Sequence, residues 1–197
     1  MNTELGTVFV ALGLAASLLA VVNQIYGLIT KRSDLLSRVQ IPVLIMFFAA
    51  VGQVAVMERA LITRDFTVAY VAQHGSTRTP ALFNVATLWS ALEGSILLWV
   101  LILVGYLGLV VWRFKNRLGD PLVAWAVTVI SIVCVFFFLL LMGPAYPFGE
   151  FDPWPGFDGP GPNPLLQNHI LMAFHPPILY LGYVGMTVPF SFAIAAL

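Results

Sequence analysis

Charged side chains are scarce in this sequence of 197 residues. Lys, Arg, Asp and Glu together make up 9% of the chain, and the mean hydropathy is +0.94. A water-soluble domain carries about 25% charged residues, so this composition excludes a soluble globular protein and predicts one that a lipid bilayer solvates. Nine basic and nine acidic residues cancel, which leaves no excess positive charge for a polyanionic partner such as nucleic acid.

Cysteine is almost absent as well. The single thiol, Cys134, lies within the apolar run VTVISIVCVFFFLLLM, so it has no partner for an internal disulfide and no zinc-binding spacing. We interpret it as a small packing residue. The sequence also lacks a Walker loop, a Rossmann glycine pattern, a nucleophile elbow and an HExxH motif. These absences exclude a self-contained hydrolytic or ATP-driven site.

Long apolar runs, by contrast, are abundant. A transmembrane helix requires about 20 mostly apolar residues, and five stretches meet that requirement. They are residues 5–29, 39–62, a part of 81–112, 122–142 and 176–197. The first lacks the basic start and cleavage site of a signal peptide, so we interpret it as a retained span. The sequence thus predicts an all-α fold, a polytopic membrane helix bundle that forms a single transmembrane domain over residues 1–197.

The basic residues predict the orientation of this bundle. The short connections after the first and third spans hold six of the nine basic residues, namely Lys31, Arg32, Arg38, Arg113, Lys115 and Arg117. The opposite side holds Arg59, Arg64 and Arg78. Because basic loops stay in the cytoplasm, the short connections are predicted to be cytoplasmic and the N-terminus to be outside.

Two longer segments are then extracytoplasmic. Within residues 63–80, the run DFTVAYVAQ alternates polar and apolar residues, which predicts a short extended piece or an interfacial strand. Residues 143–174 are rich in proline and glycine, a composition that opposes regular structure. Aromatic residues recur through this second loop, namely Phe148, Phe151, Trp154 and Phe157. Since aromatic rings favour the headgroup region, we expect the loop to lie along the membrane surface.

The sequence His175-Pro176-Pro177 is the strongest local motif. A residue before proline is disfavoured in the helical conformation, whereas proline suits the first turn of a helix. We therefore expect His175 at the entrance of the fifth helix, at the outer membrane face. A backbone restricted by two rings directs the imidazole reproducibly, as a metal or cofactor ligand requires. The same restriction suits a histidine that only caps the helix, so the local pattern leaves both functions open.

A second motif, WSALEGSILLW, begins at Trp89. Ser90 and Gly94 are four residues apart, a spacing that permits close contact between helices. Glu93 is ionisable, and an ionisable residue at membrane depth is costly and often functional. If residues 81–90 lie flat on the surface, however, the span begins just after them and Glu93 is interfacial. Structural and functional interpretations of Glu93 both remain open.

Two further histidines, His74 and His169, fall on the predicted outer side. No sequence feature orders the loops around them, so we interpret each as a solvated polar residue rather than a ligand. His169 precedes His175 by six residues, which is too far for adjacent helical turns.

Together these motifs resemble a known family. The run DFTVAYVAQ, the block WSALEGSILLWVLIL, and NPLLQ followed by HPPILYLGYVG occur in this order, with membrane spans between them. They closely resemble the N-terminal part of the cytochrome c-type biogenesis proteins of the CcmF/CcsA haem-handling family. The resemblance covers residues 5–197. Any one block is modest support, whereas three in order are specific.

The resemblance implies a function in the maturation of c-type cytochromes. Such proteins receive b-type haem in transit at the outer membrane face and help to attach it to the CxxCH thiols of apocytochrome c, as part of a haem lyase or haem transport system. The implied partners are haem-delivery and other cytochrome c maturation proteins, apocytochrome c and membrane lipid. The implied location is a bacterial inner membrane, or a mitochondrial inner membrane if the protein is organellar.

The resemblance also implies roles for particular residues. The family's histidine in the HPP motif is regarded as an external ligand of the haem iron, and His175 is the matching residue here. Pro176, Pro177, Trp89, Glu93 and Gly94 match family signatures, but no catalytic role is carried over to them. We add the hypothesis that Arg64 or Arg78 meets a haem propionate, because both are predicted on the outer side.

The sequence departs from the family in one respect. The tryptophan-rich WWD segment, the second external histidine and the intramembrane histidines that hold a structural haem b have no counterpart here. We therefore expect that this chain alone forms neither a complete haem site nor a complete catalytic site. The fifth stretch ends in SFAIAAL, without the basic residues that close the first and third, so we interpret the chain as an N-terminal fragment of a longer protein.

Two other functions are compatible with the composition. A secondary transporter would use Glu93 and the proline-containing fifth helix, although no inverted repeat is visible. A structural subunit of a respiratory membrane complex would need only the apolar spans. The coding sequence past Leu197 separates the three, because a tryptophan-rich segment with further histidines favours haem handling, a second five-helix half favours transport, and a stop codon favours the structural subunit.

Overall fold

The computed structural model describes residues 1–163 and 169–197. Within these residues the chain forms nine α-helices and two 3-10 turns. The helices are α1 (Asn2–Thr30), α2 (Ser33–Ser37), α3 (Gln40–Thr63), α4 (Ala69–His74), α5 (Ala81–Ala86), α6 (Leu92–Arg113), α7 (Pro121–Met142), α8 (Ile170–Gly185) and α9 (Thr187–Ala195). The 3-10 turns are Thr87–Trp89 and Lys115–Arg117.

Five helical segments in the described residues are long and apolar enough to cross a membrane. They are Asn2–Thr30, Ser33–Thr63, Leu92–Arg113, Pro121–Met142 and Ile170–Ala195. The prediction of an all-α, five-span membrane bundle is therefore confirmed. The spans are apolar around most of their circumference, as helices that contact lipid on one side and protein on the other must be.

The bundle has two chemically different ends. Both long connections, residues 64–91 and 143–163, lie at one end, which we call the loop end, and α8 begins there. The opposite end carries the short connections after α1 and α6 with their six basic residues, and we call it the basic end. The succession of antiparallel spans thus places the HPP motif at the loop end.

Small residues on α1 allow the spans to pack closely. The space that a Cβ on Gly6 would need is filled by the ring of Phe148, and the equivalent space at Gly13 is filled by the ring of Phe138. Both phenylalanine side chains are completely buried. Close approach through small residues is how membrane helices gain van der Waals contact, so α1 packs closely against Phe138 of α7 and against Phe148 of the second long loop.

The fifth span begins six residues earlier than the sequence predicted. α8 starts at Ile170, and its N-cap is His169, whose Nδ1 accepts a hydrogen bond from the backbone N–H of Leu171 at 3.3 Å. His175 is consequently a helical residue in the second turn. The prediction of a non-helical His175 at the helix entrance is wrong.

Burial explains this earlier start. Met172 and Ala173, which precede the HPP motif, are buried against Ala86 of α5. The restriction on a residue before proline is a preference of the isolated chain, and apolar burial in the first turn outweighs it here. Sequence reasoning considered only the local preference.

The strand predicted for DFTVAYVAQ does not form. Within these nine residues, all of them described, pairing is limited to an isolated antiparallel bridge between Val68 and Glu150, and α4 follows at once. Val68, Val71 and Ala72 are buried. Their i, i+3, i+4 spacing is helical, so the alternation of polar and apolar residues was a misleading signal.

The second long loop is irregular, as its composition predicts. Residues 143–163 contain turns and bends without a helix. Residues 170–174, which were assigned to this loop, belong to α8 instead. Residues 164–168, which include most of the NPLLQ motif, lie outside the described residues.

Candidate functional site

Three sequence motifs that are far apart in the chain meet at the loop end. Tyr70, from DFTVAYVAQ, is buried, and its hydroxyl lies 2.8 Å from the carbonyl oxygen of Thr87 and 3.0 Å from that of Leu88. The hydroxyl donates to these carbonyls, which belong to the turn immediately before α6. Tyr70 therefore fixes the backbone that leads into the WSALEG motif.

Serine hydroxyls stabilise the same turn from within. The Oγ of Ser90 donates to the carbonyl oxygen of Thr87 at 2.9 Å, and the Oγ of Ser95 donates to the carbonyl oxygen of Trp89 at 3.1 Å. The chain leaves its 3-10 turn here and enters α6 in a new direction, which frees backbone carbonyls. The two serines add side-chain donors to these carbonyls, and that of Thr87 also accepts the backbone N–H of Ser90 at 3.1 Å.

Gly94 is required by close packing at this turn. A Cβ at this position would collide with the carbonyl oxygen of Leu88 and with the hydroxyl of Tyr70. One of these obstacles is backbone, which cannot rotate away. The WSALEG motif thus encodes a tight turn that holds Trp89 in one position.

Trp89 joins this turn to the fifth span. Its indole Nε1–H donates to the carbonyl oxygen of Met172 at 2.8 Å. Met172 and Ala173 are buried against Ala86, and Phe83 and Trp89 pack against the same small cluster. The first turn of α8 is therefore anchored by both a hydrogen bond and apolar contact.

A second contact between the same two motifs lies deeper in the bundle. The ring of Trp99, at the end of WSALEGSILLW, is 5.6 Å from the ring of Tyr180 and 5.8 Å from that of Tyr183, both in HPPILYLGYVG. It also lies 5.4 Å from Phe137 of α7. Rings at such separations attract each other beyond their area of contact, so α6 and α8 are held together along two helical turns.

His175 lies on the surface of this assembly. Its side chain is exposed. Its neighbours on the same helical face are Leu171, one turn before, and Ile178 and Leu179, one turn after. These three side chains are 59%, 66% and 50% exposed. The imidazole is thus a polar group in the middle of an exposed apolar helix face.

The other two histidines have structural contacts. His169 is exposed and caps α8. His74 is half-buried with its ring 4.7 Å from that of Tyr70, so the prediction of a fully solvated side chain is wrong for it. Burial lowers the pKa of His74, and the carboxylate of Glu93 acts in the opposite direction. In the described residues no group of three or more His, Cys, Asp or Glu side chains is arranged to hold a metal ion.

Glu93 occupies the first turn of α6. The preceding 3-10 turn ends at Trp89, and α6 begins at Leu92. Glu93 is half-buried at the loop end, and a carboxylate there is favoured by the positive end of the helix dipole. This position supports the interfacial interpretation of Glu93 that the sequence left open.

The two arginines proposed for haem propionates differ in their surroundings. Arg64 ends α3 with a left-handed backbone, φ 53°, and is half-buried. Its Nε lies 3.4 Å from the carbonyl oxygen of Ser76, and its Nη2 lies 3.5 Å from that of Thr79. Arg78 is exposed. Arg64 therefore holds the first long loop in place, whereas the guanidinium of Arg78 faces solvent.

Aromatic residues form a cluster on the second long loop. Phe157 contacts Phe66, Phe151 and Trp154, with ring centroids 5.4, 5.0 and 4.7 Å away. Trp154 remains 64% exposed. Phe66 belongs to DFTVAYVAQ, so the cluster connects both long loops and leaves an aromatic surface at the loop end.

Asp158 binds the two long loops to each other. Its carboxylate accepts hydrogen bonds from the backbone N–H of Thr77 at 2.8 Å, from the hydroxyl of Thr77 at 2.7 Å and from the hydroxyl of Ser76 at 3.2 Å. The backbone N–H and the hydroxyl of Thr77 hold the pKa of Asp158 below its usual value. Three donors on one carboxylate make Asp158 a side-chain link between the loops, in addition to backbone hydrogen bonds such as that from the N–H of Gly161 to the carbonyl oxygen of Gly75 at 3.0 Å.

Sequence reasoning did not identify Tyr70 or Asp158. A tyrosine within an apolar run is a signal in itself, because a buried hydroxyl usually finds a partner. The partners of both residues lie 17 or more positions away in the chain, so no local pattern could have indicated them. Trp89 was singled out as a motif residue, but its contact with Met172 was not predicted.

Comparison with known proteins relates this arrangement to one family. The model of a family described as "Cytochrome C assembly protein" matches residues 89–197, the part that contains both the WSALEG and the HPP motifs. The chain is 36% identical over its whole length to the cytochrome c-type biogenesis protein CcmF of Escherichia coli strain K12 and covers 30% of that protein. It is 35% identical over its whole length to the cytochrome c-type biogenesis protein CycK of Rhizobium meliloti and covers 29% of it.

A solved structure agrees in fold as well. The structure of the "Cytochrome c Heme Lyase CcmF" superposes with a TM-score of 0.82 at 34% sequence identity, over 100% of this chain and 30% of that one. The chain thus spans about 30% of the length of the relatives it matches.

Proposed function

Because the chain belongs to the cytochrome c assembly protein family, we propose that it acts in the maturation of c-type cytochromes, as a component that handles haem for attachment to the CxxCH thiols of apocytochrome c. One observation carries this proposal, namely the exposure of His175 within an apolar helix face. The relatives compared above are cytochrome c-type biogenesis proteins, which favours haem handling over a secondary transporter or a structural subunit.

The loop end is proposed to face the extracytoplasmic side. Six of the nine basic residues lie at the basic end, and basic connections are retained in the cytoplasm. His175, the aromatic cluster and the N-terminus are then all outside, in a bacterial inner membrane or in its mitochondrial counterpart. Haem handling there requires an apolar surface next to the bilayer, which the exposed helix face around His175 provides.

The chemistry of haem suits this surface. Haem is a flat, largely apolar molecule whose iron takes axial imidazole ligands. Here it is the substrate in transit. The imidazole of His175 supplies one ligand, and Leu171, Ile178 and Leu179 shield that side of the ring from water. Trp154 and the aromatic cluster offer further apolar shelter at the same end of the bundle.

One histidine gives one axial ligand. In residues 1–163 and 169–197, the other imidazoles cap a helix or pack against Tyr70. A second ligand for a six-coordinate iron would come from the region of the relatives that this chain does not span, or from a partner such as a haem-delivery protein. The complete activity of a haem lyase is therefore proposed for the longer protein and not for these residues alone.

Haem propionates need a cationic partner. Arg78 is the better candidate because its side chain is exposed. Arg64 remains a second candidate, but its guanidinium already approaches two loop carbonyls. Arg78→Gln is expected to weaken binding of haemin to the full-length protein, whereas Arg64→Gln is expected to loosen the first long loop. Unchanged haemin binding in both variants would exclude propionate recognition by either residue.

The proposed function is tested by removing the imidazole. The full-length protein is purified as wild type, as His175→Ala and as His169→Ala, and its haem absorption spectrum and its support of c-type cytochrome formation in cells are measured. His175→Ala is expected to change the spectrum and to lower the cytochrome yield. His169→Ala is the matched control, because it removes an exposed imidazole from the N-cap of the same helix. Equal spectra and yields in all three proteins would exclude His175 from the site.

A further inference from the structure

The two prolines of the HPP motif create a backbone problem. Pro176 and Pro177 lie inside α8, and a proline has no N–H to donate to the carbonyl four residues earlier. For Pro176 that carbonyl belongs to Met172. The proline ring also pushes this carbonyl away from the helix axis. A buried carbonyl without a donor is unfavourable, and Met172 is buried.

Trp89 supplies the missing donor. Its indole Nε1–H donates to the carbonyl oxygen of Met172 at 2.8 Å, which is the bond that Pro176 cannot make. We propose that Trp89 is a positioning residue for His175, because its indole replaces the N–H that Pro176 lacks and so fixes the second turn of α8. This inference deepens the proposed function of His175 and rests on it.

The donor is itself held in a fixed place. The carbonyl of Trp89 accepts from the Oγ of Ser95, and Tyr70 anchors the residue before it, Leu88. Gly94 permits the close approach of these groups. The WSALEG turn therefore holds the indole of Trp89 rigidly. That indole contacts α8 at a residue 83 positions later in the sequence.

The geometry distinguishes this role from packing alone. An indole N–H is a donor and never an acceptor, and it meets the carbonyl that a proline has freed. Apolar contact with Met172 and Ala173 could be made equally well by a phenylalanine ring. The hydrogen bond, however, ties the carbonyl that Pro176 has freed to the WSALEG turn, and His175 precedes that proline directly.

The test uses a substitution that restores the missing backbone N–H at position 176 itself. In Pro176→Ala, residue 176 regains a backbone N–H that can donate to the carbonyl of Met172 within the helix. Trp89→Phe removes the indole donor and keeps an aromatic ring. Haemin is titrated into the purified, haem-depleted full-length protein as wild type, as each single variant and as the double variant.

Trp89→Phe is expected to weaken haemin binding about fivefold, the loss that corresponds to one hydrogen bond. Pro176→Ala alone is expected to bind as the wild type does, since its carbonyl keeps a donor. The double variant is expected to return to within about twofold of the wild type. If Trp89→Phe does not fold and the double variant does, that rescue supports the proposal equally. The proposal would be overturned if Trp89→Phe weakened haemin binding and the double variant bound equally weakly. It would also be overturned if Trp89→Phe bound haemin as the wild type does.

A second readout separates this inference from the proposed function. Methionine carrying a ¹³C-labelled carbonyl is incorporated, and the infrared amide I band of Met172 is assigned by difference against Met172→Leu. We expect that band to move to higher frequency in Trp89→Phe and to return in the double variant. If these shifts occur while His175→Ala binds haemin normally, the hydrogen bond stands and the proposed function fails. If His175→Ala abolishes binding while Trp89→Phe leaves the band unchanged, the proposed function stands and this inference fails.

Discussion

Gly94 shows how one missing Cβ can determine the geometry of a turn. The position that a Cβ would take is filled by the carbonyl oxygen of Leu88 and the hydroxyl of Tyr70. Gly94→Ala is therefore expected to destabilise the protein by about 1–3 kcal/mol, the usual range for overpacking. The measurement is the midpoint of the unfolding transition as a denaturing detergent is added to the protein in a mild detergent.

Gly105 is the matched control on the same helix. No atom lies within 4 Å of the position of its Cβ, so Gly105→Ala is expected to be neutral or to stabilise α6 by up to about 1 kcal/mol. Equal midpoints for the two variants would show that the close approach at Gly94 does not determine stability.

Asp158 makes the link between the two long loops dependent on pH. The donors from Thr77 and Ser76 hold the pKa of its carboxyl below 3.8, the value for an unperturbed group. A lowered pKa in the folded state means that the stabilisation is fully present above that value and is lost as the pH falls through the folded pKa. We expect the amide protection of residues 76–79, that is, the exchange rate relative to the intrinsic rate at the same pH, to be high at pH 6 and to fall on acidification below 3.8.

Asp158→Asn is the corresponding variant. It removes the charge and retains the size, so the protection of residues 76–79 is expected to be low at pH 6 and nearly independent of pH. Slow exchange in this variant at pH 6 would contradict the role of Asp158.

The exposure of His175 at the loop end could be anticipated from the sequence, but its backbone could not. The rule for a residue before proline is local, whereas the donor that satisfies the freed carbonyl comes from Trp89. The hydrogen-bond partners of Tyr70 and Asp158 are likewise remote in sequence. A single sequence contains both residues of each contact but does not indicate which residues pair in the fold.

At the scale of elements, long apolar runs were sufficient to predict the spans. All five predicted spans are confirmed, because a helix that crosses a bilayer must satisfy its own backbone. The errors occurred at the ends of helices and in the loops, where local patterns compete with burial. DFTVAYVAQ has the alternation of a strand, yet Val68, Val71 and Ala72 bury the face of a helix.

One aromatic side chain of α7 fills the space beside a glycine of α1. Phe138 is completely buried and fills the space beside Gly13. Phe138→Ala is expected to destabilise the protein by about 3–5 kcal/mol through loss of contact and the cavity that remains. Phe136→Ala on the same helix is the control, since Phe136 is 55% exposed, and its effect is expected to stay within about 0.5 kcal/mol. Similar unfolding midpoints for both variants would contradict the importance of this contact between α1 and α7.

At the scale of the whole molecule, the sidedness of the bundle decides whether His175 can meet an extracytoplasmic substrate. The native cysteine, Cys134, is buried, so it gives little background in labelling. Gln73 at the loop end and Asn116 at the basic end are both exposed. In intact cells, a membrane-impermeant maleimide is expected to label Gln73→Cys and to leave Asn116→Cys unlabelled until the membrane is opened. The reverse pattern would place His175 in the cytoplasm.

The arrangement of the whole molecule was also the part least accessible from the sequence. The order of the motifs indicated the family, and the comparisons confirm it. The contacts that bring the three motifs together depend on how five spans pack, which is a property of the fold and not of any motif. The chain spans about 30% of the length of its relatives.

The central claim, that the imidazole of His175 ligates haem iron, is tested most directly by chemical rescue. The full-length protein is prepared as His175→Gly and, for control, as His169→Gly, and the haemin spectrum of each is recorded with and without free imidazole. His175→Gly is predicted to lose the wild-type spectrum and to regain it when imidazole is added, whereas His169→Gly retains it throughout. A wild-type spectrum for His175→Gly in the absence of imidazole would contradict the claim.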